Sequence, residues 1–103
     1  MNIKELKNKV IETLRTVFDP EIPVNIYDLG LVYDIAVDLA GVVNIKLTLT
    51  SPGCPVAGSL PGEVESKVKL ISGVSGANVS LVWDPPWNQA MMSDAAKLKL
   101  GLL

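Results

Sequence analysis

The hydrophobic positions of this chain change period as it is read from the start. Between Asn2 and Phe18, the residues Ile3, Leu6, Val10, Leu14 and Val17 fall on one stripe of a 3.6-residue helix, with Lys4, Glu5, Asn8, Lys9 and Glu12 elsewhere. The pattern predicts an amphipathic helix that stops at Asp19-Pro20, because a residue before proline is pushed out of the helical region. From Asp19 to Gly30 neither period holds and Pro20 and Pro23 intervene, so this stretch reads as an ordered loop.

Alternation follows. Leu31, Tyr33, Ile35, Val37 and Leu39 are expected on one face, with Asp34, Ala36 and Asp38 on the other. After Ala40-Gly41, Val43, Ile45, Leu47 and Leu49 alternate with Asn44, Lys46, Thr48 and Thr50, which predicts a hairpin with one buried and one wetter face. A two-residue loop would pair Val37 with Asn44 and mix apolar with polar positions. A three-residue loop, Leu39-Ala40-Gly41, pairs Val37 with Val43 and Ile35 with Ile45, gives Gly41 a left-handed position, and sets Asp34 across from Lys46. The second register is the expected one.

A second helix is predicted over roughly Ser59 to Ile71, with Leu60, Val64, Val68 and Ile71 inward. Pro55 and Pro61 each suit a first helical position, and a turn at 55–58 before the main helix accommodates both. Ser72-Gly73 and Ser75-Gly76 end it. A third strand, Ala77 to Trp83, carries Val79, Leu81 and Trp83 inward, and Asp84-Pro85-Pro86-Trp87 makes a stiff corner into a short helix where Met91, Ala95 and Leu98 share a face and Gly101 caps. The order α-β-β-α-β-α over residues 1–103 implies one α/β (α+β) domain of two layers. It would have a small three-stranded mixed sheet with helices packed on one face.

Composition narrows the chemistry. A chain of 103 residues buries enough surface to fold unaided. Its net charge of −2, with acids and bases interspersed, gives no footprint for nucleic acid or an anionic membrane. No segment nears the roughly 20 apolar residues of a membrane span, and the first residues lack a signal-peptide apolar run. A cytoplasmic protein is expected. One cysteine forbids an intrachain disulfide, and the absence of histidine forbids Ser-His-Asp and Cys-His pairs.

That cysteine is Cys54, in Thr50-Ser51-Pro52-Gly53-Cys54-Pro55. A lone cysteine is ordinarily a small buried hydrophobe. Here it follows a strand and precedes a helix, between Gly53 and Pro55. Amide groups at a helix start favour a thiolate, which lowers a thiol pKa and raises metal affinity. The acidic loop holding Asp19, Glu21 and Asp28 is the second candidate. Each singly reads as a helix stop, a solvated side chain or a turn residue, but together they could orient a ligand or brace the cysteine loop. The third is Trp83-Asp84-Pro85-Pro86-Trp87. Trp83 reads as packing, and Trp87, held on a stiff corner, suits a partner surface.

The segments DPEIPVNIYDLGLVYDI (19–35), TLTSPGCPVAGSLPGEV (48–64) and VWDPPWNQAMMSDAAKLKLG (82–101) together resemble the SufT family. This is the single-domain branch of the group that includes PaaD-like proteins and the cytosolic iron–sulfur targeting subunit. The resemblance covers nearly the whole chain with its blocks in order. It implies an iron–sulfur assembly domain without enzymatic turnover, which assists the maturation of apo client proteins alongside Suf-type machinery. It implies Cys54 as the functional cysteine and a transient iron–sulfur cluster as what that cysteine holds. Asp19, Pro20 and Glu21 correspond to the family's DPE segment, Asp28 to Gly30 to the turn after it, and Trp83 to Trp87 to the aromatic-proline corner. Thr50, Gly53 and Pro55 frame the cysteine.

Iron–sulfur clusters commonly take four thiolates, and this chain has one cysteine. A homodimer would supply two, and the rest would come from a client, a scaffold or a small thiol. Open coordination suits a carrier. The alternative is a PaaD-like docking module that matures one particular oxygenase, with Cys54 structural. A thiol enzyme is disfavoured by the lack of a second cysteine and of histidine.

Overall fold

A computed structural model of the chain describes residues 2–18, 23–49 and 60–102. The elements are α1 (Ile3–Leu14), β1 (Val32–Val37), β2 (Val42–Leu47), α2 (Leu60–Lys69), β3 (Gly76–Leu81), a 3₁₀ turn (Gln89–Met91) and α3 (Asp94–Lys99). This is the expected α-β-β-α-β-α order. The sheet runs β1-β2-β3, with β1 antiparallel to β2 and β3 parallel to it, so the sheet is mixed. Parallel neighbours need a crossover, and α2 provides it. Among the described residues, no helix is long and apolar enough to cross a membrane.

The hairpin has the expected register. Val37 opposes Val43, Ile35 opposes Ile45 and Asp34 opposes Lys46. Asp38 holds the loop, its carboxylate accepting the backbone N–H groups of Ala40 and Val42 at 2.9 and 3.0 Å. Gly41 adopts φ 84°, and a Cβ there would run into the Gly73 carbonyl oxygen. Ser75 closes the same end, donating from its hydroxyl to the Ala40 carbonyl at 2.6 Å and from its backbone N–H to Gly41.

Val43, Ile45, Leu47 and Leu49 are buried while Asn44 and Lys46 are exposed, so one face of β2 lies under the helices. Val10 and Leu14 of α1 and Leu60, Val64 and Val68 of α2 join these side chains in one core, with α1 packed against β1 and α2, and α2 against β3. Full burial stabilises each such side chain by roughly 1.5–3 kcal/mol. The helices are fixed locally as well. The Asn2 side chain caps α1 by accepting from the Glu5 N–H at 2.7 Å, and α2 carries Glu63–Lys67 and Glu65–Lys69 pairs one turn apart.

Several local expectations are corrected. Helix α1 ends at Leu14, with Arg15 as its cap, and does not run on to Asp19-Pro20. Val17 and Phe18 leave the helix because their backbone pairs elsewhere: Phe18 bridges Asn25, and Ile26 donates to the Val17 carbonyl at 2.8 Å. Val17 is buried as expected, but through that pairing. Strand β1 contains an irregularity between Val32 and Asp34, so Tyr33 is an extra residue outside the simple alternation. Leu39 is 94% exposed at the hairpin tip, not inward. Strand β3 stops at Leu81, which leaves Trp83 beyond it and 42% exposed. Around α3 the buried residues are Met92, just before the helix, and Ala96 within it, one position along from the expected Met91 and Ala95, and Leu98 is exposed. Gly101 does end that helix, at φ 75°.

Candidate functional site

Three strand termini meet at one end of the sheet. The Thr48 N–H, just past β2, donates to the Leu31 carbonyl just before β1, at 2.8 Å. The Val82 N–H, just past β3, donates to the Leu47 carbonyl at 2.8 Å. The chain therefore enters β1 and leaves β2 and β3 at the same end, and α2, running back between parallel strands, starts there. Each family-like segment is attached to one of these termini. Of the predicted site residues, Asp19, Pro20, Glu21, Thr50, Gly53, Cys54 and Pro55 lie outside the described residues. The described residues nearest Cys54 in sequence are Leu49, buried beyond β2, and Leu60, buried at the start of α2.

The turn before β1 is built from its own side chains. Asn25 accepts the Asp28 N–H at 2.9 Å on its side-chain oxygen and donates its amide to the Asp28 carboxylate at 2.8 Å. Leu29 N–H returns to the Asn25 carbonyl, and Leu31 N–H to Ile26. Gly30, at φ 81°, completes the reversal, and its missing Cβ leaves room for the Met91 carbonyl. Asp28 thus has a demonstrable structural duty.

The segment after β3 is tied back onto this turn. Trp87 is half-buried, and its indole N–H donates to the Leu29 carbonyl at 2.7 Å. Ser93 N–H donates to the Asp28 carbonyl at 2.8 Å. Tyr33 adds a third link, donating its hydroxyl to the Pro85 carbonyl at 2.7 Å, with the Met91 sulfur 3.4 Å away. The Asp84–Pro85 peptide is cis. The structure therefore brings Asp28 and Gly30 together with the corner. It leaves Trp83, Asp84, Pro85 and Pro86 exposed while Trp87 is largely engaged with the core.

Tyr33 is the residue that sequence reasoning missed. It was expected as one inward position of a regular strand, yet the irregular pairing at 32–34 delivers it to this rim. Partial burial pushes its phenol above the usual 10.0, a hydrogen bond with Thr48 opposes that, and the Asp84 carboxylate adds to it. Gly30, Val32, Tyr33, Pro85 and Met91 line a mostly apolar groove of about 460 Å³. A somewhat larger hollow, about 540 Å³, lies at the far end between the start of α1 and the hairpin tip. Its two polar side chains, Asn2 and Asp38, serve as caps for backbone N–H groups. Among the described residues no cluster of three or more acidic, histidine or cysteine side chains could hold a metal ion.

The fold and this end of it define a class: small α+β domains whose loops gather at one end of a three-stranded sheet. The chain belongs to the iron-sulfur cluster assembly protein family, whose model matches residues 7–81. It is 46% identical over 99 residues to the Fe-S protein maturation auxiliary factor of Porphyromonas gingivalis, covering 96% of this chain and 94% of that protein. It is 42% identical over 86 residues to the Fe-S protein maturation auxiliary factor SufT of Staphylococcus aureus, covering 84% and 98%. A solved structure of the domain of unknown function DUF59 from Bacillus anthracis superposes with a TM-score of 0.90 at 39% identity, covering 97% of this chain and 95% of that one.

Proposed function

We propose that this protein is an iron–sulfur maturation factor that offers Cys54 as a thiolate ligand to a cluster in transit to apo client proteins. The cluster is cargo, and no covalent turnover is assigned to the chain. The observation that carries the reading is the meeting of three strand termini at one sheet end, two of which flank the family-like loops and one the cysteine segment. Membership of the assembly family and the names of its relatives support it.

One cysteine leaves the common four-thiolate set incomplete. The missing ligands come from a second molecule, whether another copy, a Suf-type scaffold, a small thiol or the client itself. Incomplete coordination is what lets a receiving protein's thiolates displace the carrier one at a time. A saturated site would hold the cluster.

The test is anaerobic reconstitution with ferrous iron and sulfide, comparing wild type with Cys54→Ser and reading visible absorption and particle mass together. The wild type is expected to develop the cluster chromophore and pass it to an apo ferredoxin, while the variant does neither. Equal chromophore and transfer in both proteins would remove Cys54 from the mechanism.

A further inference from the structure

Met91 is the member of the Tyr33 rim that the cluster reading leaves unused. It is half-buried and lines the groove of about 460 Å³ together with Gly30, Val32, Tyr33 and Pro85. Its neighbour Met92 is 6% exposed and belongs to the hydrophobic core. Two thioethers of the same intrinsic chemistry therefore stand side by side in sequence and differ in access. A small neutral oxidant such as hydrogen peroxide can enter the groove, while the core is closed to it.

The Met91 sulfur also touches a bond that matters to the fold. The Tyr33 hydroxyl has one proton, which it donates to the Pro85 carbonyl at 2.7 Å, with the sulfur 3.4 Å away as a second, weaker acceptor. A hydrogen bond with buried Thr48 holds the same phenol oxygen in place. The segment after β3 is tied back by three bonds, from the Trp87 indole to Leu29, from the Ser93 N–H to Asp28 and from Tyr33 to Pro85. Of the three donors, the Tyr33 hydroxyl is the one in contact with the sulfur. A sulfoxide replaces that weak acceptor with a polar oxygen, which competes with Pro85 for the one phenol proton.

We propose that Met91 is a site of reversible oxidation by hydrogen peroxide, and that its sulfoxide releases the corner after β3 from Tyr33. A lone pair of the sulfur attacks one peroxide oxygen and the O–O bond breaks. The departing hydroxide takes the proton from the transferred oxygen and leaves as water, so sulfur is oxidised by two electrons and peroxide is reduced by two. The sulfoxide oxygen then accepts the Tyr33 hydroxyl in place of the Pro85 carbonyl. Asp84 to Pro86 loosen, while Trp87 and Ser93 keep the rest of the segment attached. A methionine sulfoxide reductase restores the thioether and the original bond. The inference goes beyond the maturation reading and does not depend on it.

The test exposes the full chain, without iron or sulfide, to dilute hydrogen peroxide and maps sulfoxide by peptide mass spectrometry. Met91 is expected to oxidise roughly tenfold or more faster than Met92 in the folded protein, and at the same rate in urea. The oxidised protein should melt lower by roughly 4–8 °C, the scale of one lost hydrogen bond in a small domain, and regain its melting point after reductase treatment. Met91→Leu, a near-equal volume, should show no such fall, and Tyr33→Phe, with no hydroxyl bond to release, a much smaller one. That control also removes any effect of peroxide on Cys54, which both variants retain. By NMR the Asp84 amide should move on oxidation and return on reduction while the Trp87 indole N–H stays, a comparison within unaltered protein that stands if a variant folds poorly. Equal native rates at Met91 and Met92, the same melting loss in either variant, or an Asp84 amide unmoved by complete Met91 oxidation would overturn the proposal.

Discussion

The indole N–H of Trp87 donates to the carbonyl of Leu29 at 2.7 Å across 58 positions of sequence. This bond joins the corner after β3 to the turn before β1, two of the three segments attached to the strand termini at that end of the sheet. Trp87→Phe keeps most of the ring packing but leaves that carbonyl without its donor. A loss of about 1–2 kcal/mol is expected, read as a lower urea midpoint with unchanged slope. No loss would mean that water replaces the indole freely.

Gly30 is constrained twice. Its φ of 81° disfavours any side chain, and an added Cβ would run into the Met91 carbonyl. Left-handed strain and steric overlap together put Gly30→Ala at about 2–4 kcal/mol. Thermal unfolding measures this, and near-ultraviolet dichroism should show Trp87 disturbed as the turn and corner separate.

These constraints show where the sequence was readable. The hairpin register followed from the alternation on both strands, because only one loop length keeps apolar residues on a common face. The extra residue at Tyr33 left no such mark, as Leu31, Val32, Tyr33 and Ile35 satisfy a regular strand equally well on paper. The end of α1 was misjudged because Val17 completes a helical stripe, and only the distant Asn25–Ile26 backbone pulls it into a bridge. In α3, the doubled Met91-Met92 and Ala95-Ala96 allow two faces, and six residues of helix are too few to choose between them. At the site, Asp28 and Gly30 were legible as turn chemistry and Trp87 as a corner residue. Tyr33 was hidden by its neighbours.

The hairpin tip and the sheet interior should respond oppositely to change. Leu39 is almost fully exposed and Leu47 is fully buried. Leu39→Lys is expected within about 0.5 kcal/mol of wild type, whereas Leu47→Ala should cost about 2–5 kcal/mol. Paired denaturant curves settle both. A large effect at Leu39 would show that the tip is covered in solution.

Tyr33 predicts an alkaline sensitivity. Its phenol titrates higher in the folded protein than the usual 10.0, so the folded state holds that proton more tightly than the unfolded chain. Its contribution is complete below 10.0 and is lost as pH rises through the raised folded value. Stability measured across that window should fall more steeply for wild type than for Tyr33→Phe, while the lysines titrate alike in both. Parallel curves would mean that Tyr33 does not titrate differently on folding.

The irregular pairing between Val32 and Asp34 lets β1 change phase at Tyr33 while Ile35 and Val37 keep step with Ile45 and Val43. A length change at position 33 would be absorbed where it occurs, re-aiming one rim side chain without rotating the aliphatic row of β2 toward water. The rim can thus vary in outline while the interior stays in step.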